Sequence, residues 1–259
     1  FNQSLAFYMF VSMIGSFGIN FSVLEAIPKA ENNKLKIRSI IHGSLLPTLI
    51  TSALVTLLYS LSLNSLIFIF NSQNLYKGLI SIIPAIFFCS LNKVLLYGVY
   101  NGLRRMREFA IFLSLRYILI LLSLFIFLFW RIEGNYLPLI FSLSEVIIFP
   151  IMIYRINKIT QFLNAKNSLN WSYRHLKFGS KAVFTGLITE ANTKVDIIMI
   201  GVFLNDNYVG IYSFAALIVE GYIQLIRVIQ NNYNPIFSNL INIEDSMKIN
   251  NMVRLLKKR

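Results

Sequence analysis

Seven stretches of the chain are each apolar over roughly the 20 residues that a helix needs to cross about 30 Å of hydrocarbon. They fall at about 5–27, 41–69, 78–103, 109–130, 136–154, 178–204 and 208–230. The windows are long, dense in Leu, Ile and Phe, and lack the strict two-residue alternation of a membrane strand. A helix also satisfies its own backbone groups in lipid, so the expected fold is an all-α, polytopic membrane helical bundle with seven transmembrane helices visible. Composition agrees. Charged residues make up 14% of the chain, about half the usual share, too few to cover the surface of a soluble domain and the opposite of what disorder requires. The single cysteine, Cys89, excludes a disulfide framework or a cysteine-based metal site within the chain.

The net charge of +13 would raise nucleic acid as a partner for a soluble protein. Its distribution gives it another meaning. Lys29, Lys34, Lys36 and Arg38 follow the first window, and Arg104, Arg105 and Arg107 the third. Arg155, Lys158, Lys166, Arg174 and Lys177 follow the fifth, and Lys248, Arg254, Lys257, Lys258 and Arg259 the seventh. These 17 residues share one side, whereas the other side holds Lys77 and Arg131, in short links around 71–77, 131–135 and 205–207. The positive-inside rule makes the richer side cytoplasmic. Topology therefore explains the basic loops, which also lack the aromatic interleaving of a nucleic-acid surface.

In this orientation the first visible helix begins outside. With Phe1 in place of an initiator Met and a closing basic run that normally precedes another span, the chain reads as a fragment of a longer protein, its first window being that protein's second helix. The expected domains are an N-terminal lobe over 1–155 (helices two to six), a cytoplasmic inter-lobe connector over 156–177, and the start of a C-terminal lobe over 178–259. The first window ends at Pro28 and the seventh at Pro235, a weak echo of a six-plus-six repeat.

Lys93, Arg116, Lys181, Lys194 and Arg227 lie within windows, as do Glu145, Glu190, Asp196 and Glu220, with Glu25 near an end. A charge at mid-bilayer costs roughly 2.5–3.5 kcal/mol on the insertion scale, so such groups face a cavity or one another. Snorkelling accounts for those near span ends, such as Lys181, Glu25 and Arg227. At 100° per residue, Lys181, Thr185, Thr189, Asn192 and Asp196 form one polar stripe, and Ser213, Glu220, Gln224, Arg227 and Asn231 another. Ser90, Lys93, Tyr97 and Tyr100 share a third face. Glu190 and Lys194 sit four residues apart and read as a local structural pair. Arg116 and Glu145 are more isolated. Such stripes are either polar helix–helix seams or the walls of a wet cavity; several in one bundle favour the cavity. Pro47, Pro84, Pro138 and Pro150 lie in or near windows as places to bend. His42 and His175 read as polar boundary residues, and Cys89 as a packing residue.

No nucleotide-binding loop, HExxH, CxxC, paired acidic motif or nucleophile elbow is present. No catalytic, metal-ligating or cofactor residue is therefore assigned, and an enzyme reading has no residues to carry it.

One region resembles a known family. Phe178-Gly179-Ser180-Lys181, the run Val195-Asp196-Ile197-Ile198-Met199-Ile200-Gly201-Val202-Phe203, and Val209-Gly210-Ile211-Tyr212-Ser213-Phe214-Ala215-Ala216 are similar to helices seven and eight of the polysaccharide flippases, joined by a three-residue turn at Asn205-Asp206-Asn207. Asn234-Pro235-Ile236-Phe237-Ser238 and Tyr100-Asn101-Gly102-Leu103-Arg104-Arg105 extend the likeness. These flippases are the O-antigen and capsule repeat-unit exporters of the multidrug/oligosaccharidyl-lipid/polysaccharide superfamily. The resemblance implies twelve or more helices in two pseudo-symmetric lobes around a cavity. It also implies movement of undecaprenyl-diphosphate-linked oligosaccharide to the outer leaflet of the bacterial cytoplasmic (inner) membrane. Such a headgroup is anionic and hydrophilic, so Lys93, Tyr97, Arg116, Lys181, Asn192, Gln224 and Arg227 become the expected substrate-cavity residues. Glu145, Asp196 and Glu220 become the charge-balancing or ion-coupling groups. The expected partners are the lipid-linked oligosaccharide, membrane lipids, a coupling proton or sodium ion, and other polysaccharide assembly proteins. An ion-coupled drug or metabolite antiporter of the same superfamily is the competing transporter, expected to rely on one dominant acidic site. A membrane-embedded glycan polymerase or transferase and a passive scaffold are the alternatives of other classes.

Overall fold

A computed structural model of the chain describes residues 1–30, 33–70, 72–164 and 169–242, the side chains of 73, 224–225 and 227–242 excepted. Lys166, most of Asn164-Ala165-Lys166-Asn167-Ser168 and the basic run from Lys248 to Arg259 lie outside the described residues, as do the side chains of Gln224, Arg227, Asn231 and the Asn234–Ser238 motif. Among the described residues there are helices and no strands. They are α1 (Asn2–Gly15), α2 (Ile19–Ala26), α3 (Lys34–Phe70), α4 (Gln73–Ser81), α5 (Ile83–Lys93), α6 (Met106–Phe129), α7 (Leu139–Thr160), α8 (Leu169–Phe203) and α9 (Asp206–Asn242).

Four spans are individually long and apolar enough to cross a membrane: Lys34–Phe70, Asn74–Tyr100, Met106–Phe129 and Gly134–Thr160. The first window is instead a bent pair, Asn2–Gly15 and Ile19–Ala30, meeting at 55°, which makes five if the pair is one span. Phe17 (φ 48°) and Gly18 (φ 67°) turn the chain through the left-handed region there. Only glycine enters that region freely. None of the four prolines marks this break; Pro47 and Pro150 lie inside continuous α3 and α7. The sixth and seventh windows fall on α8 and α9. Of these, α8 carries Glu190, Lys194 and Asp196 within one five-turn stretch, and much of α9 lies beyond the described side chains.

The contacts divide the chain into two compact units, Phe1–Val209 and Gly210–Arg259. Within the first, α5 packs on α7, α1 and α3, α6 on α7, and α8 on α1, α2 and α3. The surface of α8 that meets them carries His175, Gly179, Val183, Gly186, Lys194, Ile197 and Gly201. Their spacing of three, four or eight residues keeps them on one helix face, that of a helix–helix seam, with small residues permitting close approach. At Gly179 the α1–α2 elbow comes closest, where an added Cβ would overlap the Phe17 carbonyl oxygen. Away from the seams, α3 and α6 expose Leu54, Leu57, Leu58, Leu61, Phe68, Leu121, Leu122, Phe125, Leu128 and Phe129, the surface expected of helices whose solvent is lipid.

The loops sort to two ends. Arg38, near the start of α3, donates to Thr160 O at 2.8 Å and Gln161 Oε1 at 2.6 Å, capping the C-terminus of α7 with a cation. At the opposite end Lys77 pairs with Glu133 at 2.9 Å, Asn135 donates to Asn74 at 3.2 Å, and the α4 cap Ser72 donates to Asp206 at 2.9 Å. Those three short links are the ones grouped by their scarcity of basic residues. Two differences from expectation are local. The connector's second half is not loop, because helix α8 begins at Leu169. The turn between α8 and α9 is shortened to Leu204 and Asn205, since Asn205 Oδ1 caps the amides of Asn207 and Tyr208.

Candidate functional site: a polar layer between two apolar cores

The first unit has two large apolar cores, stacked along the helices. One holds Ile19, Val23, Ile40, Ile41, Val94, Tyr100, Phe112, Ile148, Met152 and Ile156. The other holds Tyr8, Tyr59, Leu63, Leu79, Ile86, Cys89, Phe127, Ile140 and Phe141. α3, α6 and α7, together with α1 continuing into α2 and α5 into its extension, pass from one to the other through polar residues. These are Ser12 and Ser16 on α1 and its exit, Ser44, Thr48 and Ser52 on α3, Ser90, Asn92 and Lys93 on α5, Arg116 on α6, and Ser144 and Glu145 on α7. Most of the hydroxyls are internally satisfied: Ser44, Thr48 and Ser144 donate to carbonyls three or four residues back, and Ser90 donates to Ile86 O and across to Ser12 O. The charged members need partners from other helices.

Glu145 has four. Its side chain has no exposure. Tyr8 Oη donates to Oε1 at 2.6 Å, Asn92 Nδ2 to Oε2 at 2.6 Å, and Arg116 Nη2 to Oε2 at 3.2 Å. Arg116 Nε lies 3.0 Å from Oε1 without aiming its N–H at it, so that approach is electrostatic. Asn92 Nδ2 also donates to the Glu145 carbonyl at 3.0 Å. Tyr8 is held in place by stacking on Phe141 at 5.3 Å, nearly parallel. The isolation that Arg116 and Glu145 show in sequence is removed by the packing of α6 on α7. Arg116 is thereby committed to a carboxylate whose acceptor positions are filled.

Lys93 is held differently. Its ammonium is 3.7 Å from Glu190 Oε1 and 3.4 Å from the Met9 carbonyl, with 13% and 19% of the two side chains exposed. Glu190 therefore reaches across from α8 to α5, where spacing alone paired it with its neighbour Lys194. Immediately after Lys93 the helix widens into a π-helix, Val94–Tyr100. Each residue there advances by less than 100°, which divides the expected common face. Ser90 and Lys93 look to α1, while Tyr97 and Tyr100 pack on Phe109 and Phe112 of α6 with ring centroids 5.5 and 5.2 Å apart.

The stripe on α8 points elsewhere. Lys181, Thr185, Thr189 and Asn192 are exposed and Asp196 half-buried, on the side of the helix turned about 135° from its packed seam. Glu220 lies on α9, in the second unit. His175 is not a boundary residue in the expected sense: it is fully buried, with Nδ1 2.8 Å from Ser22 Oγ and Nε2 3.1 Å from Ile40 O. Burial pushes its imidazole down to about 4, so the ring is neutral and clips α8 to α2 and α3. Sequence reading missed Tyr8, Asn92 and the partner of Glu190. A lone tyrosine or asparagine in an apolar run gives no signal until another helix supplies the charge it serves.

No curated protein and no solved structure matches the chain. The family model described as polysaccharide biosynthesis protein matches residues 1–241. That match includes the regions whose residues resemble flippase helices and all of the polar layer. The chain therefore belongs to the polysaccharide biosynthesis protein family, the family of the polysaccharide flippases.

Proposed function

We propose that the protein is a flippase that carries undecaprenyl-diphosphate-linked oligosaccharide repeat units across the bacterial cytoplasmic membrane by alternating access, for surface polysaccharide export. The observation that supports this reading best is Lys93, a cation midway along an apolar bundle and held by a loose partner. A diphosphate-linked sugar is too hydrophilic to cross lipid unaided, and a wet path with cationic groups lowers that barrier. In this reading the protein is multi-pass, with its 17 loop cations on the cytoplasmic side. The lobes are 1–155 and 178–259, joined by 156–177, within a protein of twelve or more helices. The stripe of Lys181, Thr185, Thr189, Asn192 and Asp196 on α8 lines the substrate cavity, and Gln224 and Arg227 of the eighth helix are its further residues. Arg116 sets the electrostatic potential of the layer while Glu145 balances it, leaving Asp196 and Glu220 as the groups for a coupling proton or sodium ion. Membrane lipids surround α3 and α6, and other polysaccharide assembly proteins receive the product.

The test is the phenotype of a strain lacking the gene. Loss of surface glycan with accumulation of its lipid-linked precursor is the expected result. Unchanged glycan with new drug sensitivity would instead identify an antiporter. Turnover of a glycan donor by the purified protein would identify an enzyme.

A further inference from the structure

Resting on that reading, we infer that Glu190 is a built-in competitor for the substrate's diphosphate. It occupies Lys93 when the site is empty, and an incoming anionic headgroup must displace it. Two intramembrane ion pairs among the described residues differ in a way that assigns them different tasks. Arg116–Glu145 is a 3.0 Å pair with Tyr8 and Asn92 completing the carboxylate's shell, and it joins α6 to α7, two helices packed along their length. Lys93–Glu190 is a 3.7 Å pair with one further contact, a long 3.4 Å bond to a main-chain carbonyl, and both side chains are partly exposed.

A guanidinium in a filled shell exchanges partners slowly and at high cost. An ammonium with two distant acceptors has donor capacity left over, and a diphosphate satisfies it better than one carboxylate oxygen at 3.7 Å. The surroundings suit an exchange. Lys93 stands at the entry of the π-helix, where main-chain hydrogen bonding is already irregular. Glu190 stands one turn from Gly186, which lies against Met13 of α1, so displacing it presses on the seam that holds α8. Headgroup binding and loosening of α8 are thus linked through one carboxylate. Such a competitor also excludes weaker anions, because a ligand must outbid Glu190 before it gains Lys93.

The test uses the intact protein in nanodiscs and farnesyl diphosphate as the probe, with farnesol as its uncharged control. Removing the competitor with Glu190→Gln is expected to tighten farnesyl diphosphate binding roughly tenfold, leaving farnesol binding unchanged. Lys93→Gln is expected to weaken the probe by at least as much. Lys93→Gln combined with Glu190→Gln should bind like Lys93→Gln alone, since without the ammonium there is nothing to compete for. Weaker or unaltered diphosphate binding in Glu190→Gln, with wild-type binding intact and the variant eluting as a single species, overturns the competitor role. Wild-type protein that does not distinguish farnesyl diphosphate from farnesol brings down the flippase reading itself, and the inference with it.

Discussion

Replacing Glu145 by alanine should destabilise the bundle more than any other single substitution in the polar layer. The substitution strips the Arg116 guanidinium of its counter-charge, leaves Tyr8 Oη without its acceptor at 2.6 Å, and leaves Asn92 Nδ2 only the main-chain carbonyl of residue 145 at 3.0 Å. Two unit charges 3.0 Å apart attract by roughly 5–6 kcal/mol at an effective dielectric of about 20, most of which desolvation offsets. Removing one partner loses the attraction and keeps the desolvation cost. Broken buried pairs accordingly lose about 3–5 kcal/mol, and each orphaned hydrogen bond adds up to about 1–3 kcal/mol where it cannot relax. The terms overlap, so a total of about 5 kcal/mol is expected, or a fall in Tm of roughly 10 °C or more for a chain of this size. Arg116→Met should cost nearly as much. Arg116→Met with Glu145→Ala should cost at least 2 kcal/mol less than the sum of the singles, because neither charge is then left alone. Thermal unfolding of detergent-solubilised protein, followed by the fluorescence of a thiol-reactive dye at buried Cys89, supplies the cycle. Additive losses would show that the pair does not hold α6 to α7, and the division of labour between the two ion pairs would fail.

The α8 seam makes a second prediction. Gly179→Ala places a methyl against the Phe17 carbonyl, which is backbone and cannot swing aside, whereas Gly210→Ala meets nothing within 4 Å. The first should lower Tm by several degrees, and the second should leave it unchanged or raise it slightly, since alanine favours a helix by about 1 kcal/mol over glycine; equal effects would refute the close approach. The pH dependence of stability tests the His175 clip. Its imidazole titrates at about 4 in the folded protein against 6.5 when unfolded, so the unfolded state binds the extra proton between those values. Stability should be level above pH 6.5 and fall by roughly 1.4 kcal/mol per unit as pH drops toward 4. His175→Asn should flatten that window, and a wild-type profile that is level from pH 7 to 4.5 would contradict the clip.

What sequence reading could reach, and what it could not, follows from the range of the interactions. Four of the seven windows were legible as single spans, and a fifth, which folds as a bent pair, as an apolar stretch, because lipid imposes length and apolarity on each helix separately. The links at 71–77 and 131–135, grouped by poverty in Lys and Arg, do meet through Lys77–Glu133 and Asn74–Asn135. Inter-helix chemistry was not legible. Helical periodicity placed Glu190 beside Lys194, and nothing local indicated that Lys93, 97 positions earlier, would face it. The break at Phe17–Gly18 lay hidden for a related reason: a single glycine in an apolar run is common, and only the approach of Gly179 from α8 requires the elbow. The π-helix after Lys93 likewise leaves no mark in a composition window, so Tyr97 was placed with Lys93 when it packs on α6.

The central claim is that a mid-bundle cation serves export of a lipid-linked anionic glycan. Complementation of a gene-deletion strain by Lys93 variants tests it most directly, with surface glycan measured at matched membrane abundance of the protein. Wild-type protein should restore export, Lys93→Arg should restore part of it, and Lys93→Gln should restore none while the lipid-linked precursor accumulates. Full export by Lys93→Gln would contradict the account.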